Sequence, residues 1–115
     1  MAEKNCYEII VTKPARDRFQ NEILSYISKS FSNRRALEVE NNLKELLLTL
    51  QIDPQRGSVE KLIQIKDHIF RFVLHKETKF FEIKIIYFIK ESEHKVLVTD
   101  FFSTKMNPLK MRSQF

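Results

Sequence analysis

Arg71, Lys84 and Lys105 are the cations whose places along the chain suggest chemistry. Each belongs to a different one of three successive β-rich runs: Arg71 lies in 69–75, Lys84 in 81–90, and Lys105 just beyond 95–102. Neighbouring antiparallel strands bring such residues within cross-strand reach, so the expectation is a single cationic rim. Three like charges on one rim repel each other unless an anion sits among them. The plainer alternative is a set of solvated edge charges, with Arg71 paired to Glu82. His68, His75 and His94 lie in or beside the same hairpins, and an imidazole there can carry a proton near neutral pH. His75 is the first candidate of the three. Arg34 and Arg35, like Lys13, Arg16 and Arg18, read as solubilising charges at helix starts.

Other chemistries are poorly supported. Gly57 is the one glycine in 115 residues, which leaves little scope for a backbone nest around a nucleotide phosphate. There is no glycine-rich phosphate loop, no H-E-x-x-H pair and no CxxC, so neither a cofactor nor a metal is expected. Cys6 is the single cysteine; it cannot form an internal disulfide, and it reads as a small packing residue. Twenty Lys and Arg against fifteen Asp and Glu give a net charge of +5, an excess compatible with RNA, DNA, an anionic surface or an acidic protein. The opening MAEKNCYEII lacks the apolar core of a signal peptide, and no apolar run approaches the ~18 residues of a membrane span. The expectation is a cytoplasmic protein without a membrane partner.

Composition and periodicity supply the elements that must hold those residues. At 43% hydrophobic, with ten Phe, the chain is too apolar for disorder and long enough for one core without a staple. Tyr7, Ile9 and Val11 mark a first strand ending before Pro14. Ala15, Phe19, Ile23 and Ile27 recur at four-residue spacing and predict a helix over 14–29. Ser32 and Asn33 are candidate N-caps for a second helix over 32–50, whose stripe is Ala36, Val39, Leu43, Leu46, Leu47 and Leu50. The short link between them makes an antiparallel hairpin. Residues 55–60 read as a loop, and the polar turns KETK and ESEH join the last three strands. On the middle strand Ile83, Ile85, Tyr87 and Ile89 share one face, and Glu82, Lys84, Ile86, Phe88 and Lys90 the other. The result is one α+β domain, β-α-α-β-β-β, with a twisted antiparallel sheet, a helical hairpin on one face and a basic tail over 104–115. Pro108 cannot donate to a ladder and biases Asn107 away from helix. The chain should therefore leave the sheet near Ser103 and carry Lys105 onto the rim.

The runs YEIIVTKPA, HIFRFVLHK, FEIKIIYFI and VLVTDFFSTKMNP resemble the RelE/ParE superfamily of toxins from type II toxin–antitoxin modules, over almost the whole chain. KIIY, from Lys84 to Tyr87, stands where the family places an Arg-hydrophobic-hydrophobic-Tyr element, and STKMNPLKM resembles the ending of a ParE-like subgroup. Lys84 and Lys105 occupy positions where arginine is usual, and an ammonium lacks the planar fork of a guanidinium. The resemblance implies ribosome-dependent cleavage of messenger RNA without a metal. Arg71 and Lys84 would stabilise the charge developing on phosphorus, Lys105 would neutralise the leaving-group side, and His75 or Tyr87 would transfer a proton. It implies as the alternative a ParE-like inhibitor that traps DNA gyrase by binding alone, or a homologue that keeps only antitoxin binding. In each case a cognate acidic antitoxin is the implied partner.

Overall fold

The computed structural model describes residues 6–78, 81–106 and 108–113. Strand β1 (Glu8–Val11) leads directly into helical segments α1 (Lys13–Arg18), a π-helical stretch (Phe19–Leu24) and α2 (Ser25–Ser30), which follow one another without a break. Thr12 caps the start, its hydroxyl accepting from the Ala15 N–H at 3.4 Å. Pro14 occupies the first turn, where its missing N–H costs nothing. Ser32 caps α3 (Asn33–Ile52) by accepting from the Arg35 N–H at 3.0 Å. The buried residues of this helix are Val39, Leu43 and Leu50, each on the stripe that the sequence marks out.

A 3₁₀ turn (Pro54–Arg56) and a two-residue strand β2 (Ser58–Val59) follow, so the segment read as a loop contributes to the sheet. Strands β3 (Phe70–Thr78), β4 (Phe81–Lys90) and β5 (Lys95–Ser103) form the meander. The five strands take the order β1-β5-β4-β3-β2. The architecture is α+β, but the sheet is mixed: β1 runs parallel to β5, which corrects the all-antiparallel expectation. Short turns fix direction only within the meander. β1 reaches its neighbour through the rest of the chain, and no turn constrains its sense.

The helices cover one face. Ala15, Ile23, Ile27, Val39, Leu43 and Leu50 pack with Val73 of β3, Ile83, Ile85 and Tyr87 of β4, and Val96, Val98 and Phe101 of β5. On the opposite face Phe70, Ile86 and Phe102 form a second cluster, covered by Ile63, Phe72, Phe88, Met106 and Met111. An irregularity in the β4–β5 register leaves Ile86 opposite Asp100 but Tyr87 opposite Val98. Thr99 is thus the extra residue of a bulge, and it shifts the alternation so that both Val98 and Phe101 reach the helix side. Among the described residues no helix is long and apolar enough to cross a membrane.

Candidate functional site

Register decides which of the candidate residues can meet. Arg71 lies opposite Tyr87, and His75 opposite Ile83, on the helix-covered face; Lys84 lies opposite Leu74 on the other. Residues directly opposite on antiparallel strands share a face, and consecutive residues do not. Arg71 and Lys84 therefore point to opposite sides of the sheet, and the single rim expected for Arg71, Lys84 and Lys105 does not form. Lys105 is also remote from Arg71 along the strand direction. Its ammonium lies 5.8 Å from the centre of the Phe81 ring, and Phe81 and Tyr87 are about 20 Å apart at ordinary strand rise.

Arg71, Tyr87, Lys84 and His75 each have an intramolecular occupation. The Arg71 guanidinium donates to the Gly57 carbonyl at 2.9 Å, not to Glu82, which pairs with Lys76 at 3.7 Å. Tyr87 is 0% exposed; its hydroxyl donates to the Pro54 carbonyl at 2.6 Å and accepts from the Gly57 N–H at 3.1 Å. Burial pushes the Tyr87 phenol up, against the opposing effects of the Gly57 hydrogen bond and the Arg71 charge. A phenol so placed holds the 54–57 turn against the sheet. Gly57 completes the fit by its smallness, since a Cβ there would stand 2.3 Å from the Tyr87 hydroxyl and 2.7 Å from the Phe72 carbonyl.

Lys84 donates to Glu60 Oε1 at 2.8 Å, with the Glu60 side chain 4% exposed. Glu60 Oε2 accepts from the Leu62 N–H at 3.1 Å, and the Lys84 ammonium sits 4.3 Å from the Phe72 ring centre. His75 Nε2 lies 3.0 Å from Glu77 Oε1. The other oxygen of Glu77 is held by Arg35 Nε from the first turn of α3. Arg35–Glu77–His75 is thus a bracket between helix and strand. Cys6, read as a packing residue, is exposed and free.

Two deeply buried charges, Arg18 and Asp100, are not singled out by sequence reasoning. Arg18 is 4% and Asp100 0% exposed, and Arg18 Nη1 donates to Asp100 Oδ2 at 2.8 Å. The same carboxylate oxygen accepts from the Arg112 N–H at 2.9 Å, while Arg18 Nη2 donates to the Lys110 carbonyl at 3.0 Å. Arg112 reaches back to the Pro14 carbonyl. Burial raises the Asp100 carboxyl, a tendency countered by the Arg112 N–H and the Arg18 charge. The tail beyond β5 therefore folds onto the start of the first helix, and Lys105 lies just past the point where the chain leaves the sheet. Asn107, within the STKMNP run, lies outside the described residues. A carboxylate inside the otherwise apolar run VLVTDFF was the available signal, because a buried charge needs a partner.

Among the described residues no cluster of His, Cys, Asp or Glu could hold a metal. Comparisons of the chain with protein-family models, with curated proteins and with solved structures gave no match.

Proposed function

We propose that this chain is the toxin of a type II toxin–antitoxin module of the RelE/ParE kind, and that it inhibits growth by binding its target, DNA gyrase, without cleaving RNA. The observation that carries this reading is the dispersal of the nuclease candidates. Arg71 and Tyr87 secure the 54–57 turn, Lys84 is committed to Glu60, and His75 to Glu77. Phosphoryl chemistry needs its cations and proton carriers gathered around one phosphorus, and a binding inhibitor does not. The helical hairpin offers the surface for such a partner. Leu37, Leu48 and Ile52 of α3 are 63%, 59% and 70% exposed, a set of apolar side chains outside the core stripe. The charge of +5 suits an acidic antitoxin.

The test is induced expression in bacterial cells, with and without the neighbouring gene. Growth arrest with filamentation and DNA damage, relieved by a small acidic neighbour that co-purifies with the chain, is the expected result. Arrest with ribosome-dependent breaks in messenger RNA would favour cleavage instead. Normal growth together with no complex would overturn the module assignment.

A further inference from the structure

One end of the molecule carries an aromatic and cationic strip that the proposed function does not use. The link between α2 and α3 lies there, near the upper ends of β3 and β5. Phe31 and Tyr26 are 46% and 39% exposed, with ring centres 6.4 Å apart and nearly perpendicular. Tyr26 leans on Phe81 at 5.3 Å, and Phe81, 3% exposed, forms the floor. A cation closes each end. The Arg35 guanidinium lies 5.5 Å from the Phe31 ring centre, and the Lys105 ammonium 5.9 Å from that of Tyr26. Lys29 in the last turn of α2 and Arg34 in the first turn of α3 flank Phe31 and are exposed.

The nearby acids are largely engaged elsewhere. Glu77 is held by Arg35 and His75. Glu22 borders the same recess as Lys105 but lies within 3.7 Å of Arg18 and 4.0 Å of Arg112. Among the described residues Lys105 makes no ion pair. Beside Tyr26 and Lys105 the recess has a volume of about 230 Å³ and is floored by Ile23, Phe81 and Met106. That is smaller than the roughly 300 Å³ at which pockets for drug-sized ligands begin, a size suited to one planar ring.

We infer that this strip binds single-stranded nucleic acid, with two adjacent bases stacking on Phe31 and Tyr26 and their phosphates lying against Lys105, Lys29 and Arg34. Half-exposed rings set between cations are the combination that single strands use. Every base has a π-face to stack, and the backbone charge is met without reading sequence. An acidic polypeptide would use the cations but gain little from the half-exposed rings, and a duplex keeps its bases stacked on one another. The inference concerns a naked strand and is independent of gyrase and of the ribosome.

The experiment is fluorescence anisotropy of the full chain with labelled fifteen-nucleotide oligo-U and oligo-dT at low salt, in the absence of other macromolecules. Phe31→Ala and Tyr26→Ala are each expected to weaken binding roughly five- to hundredfold, while Phe31→Trp retains it. Lys105→Ala should lower the salt slope by about 0.7, and Lys44→Ala on the exposed side of α3 should leave affinity unchanged. Phe31→Leu keeps apolar bulk without a π-face, so its loss of binding at unchanged melting temperature separates stacking from folding. Binding of both strands with that ring dependence supports the strip. Equal or tighter binding of a duplex, equal binding of polyglutamate, indifference to both ring substitutions, or no binding at all would each overturn it.

Discussion

Replacing Tyr87 by Phe removes one oxygen and two hydrogen bonds, and it separates an architectural role from a chemical one. The hydroxyl joins the Pro54 carbonyl and the Gly57 N–H, and both residues are buried. Without it each is left with an unmet polar group, at about 1 kcal/mol apiece on the low side of such penalties, or about 2 kcal/mol together. At roughly 4 °C per kcal/mol for a chain of this size, the melting temperature should fall by about 8 °C. The assay is thermal denaturation followed by circular dichroism, paired with growth inhibition well below the new melting point, where potency should be retained. Gly57→Ala offers an internal check. Its Cβ collides with the Tyr87 hydroxyl and the Phe72 carbonyl, so its cost should be smaller when Tyr87 is already Phe, because one obstacle is gone. An unchanged melting temperature with lost potency would refute the reasoning and return Tyr87 to the proton-transfer role.

Two further outcomes follow from the buried charges. Lys84→Met should cost about 3 kcal/mol in urea denaturation by stranding Glu60, and Lys84→Met with Glu60→Met should recover most of that; equal stability of the single variant and the parent would contradict it. Asp100 has a folded pKa raised above its unfolded value, chiefly by burial. Its contribution is therefore full below the unfolded pKa and is lost as pH rises through the folded pKa. The melting-temperature advantage of the parent over Asp100→Asn should shrink as pH increases over that interval, and a widening advantage would be the opposite sign.

Much of the fold was legible because it rests on periodicity. The stripe from Val39 to Leu50, the Ser32 cap and the alternation along β4 each follow from local spacing, and the structure places these residues accordingly. The parallel pairing of β1 with β5 is set by contacts distant in sequence, which no local pattern carries. The cationic rim failed for a definite reason. Strand membership was readable for Arg71 and Lys84, but their relative register was not, and a shift of one residue decides the face. The same limit concealed Glu60 and Glu77 as partners, since each meets its cation through a non-local contact. Arg18 reads as a solubilising charge from the sequence because helix position alone does not show that the Asp100 carboxylate lies beneath it.

The central claim is inhibition by binding, and it is tested most directly by titrating the purified chain into a DNA gyrase supercoiling reaction, with programmed ribosomes as the parallel substrate. The expected result is loss of supercoiling with DNA trapped in a cleaved state, while ribosome-bound messenger RNA stays intact. Undiminished supercoiling together with new 5′ ends in the messenger RNA would contradict it.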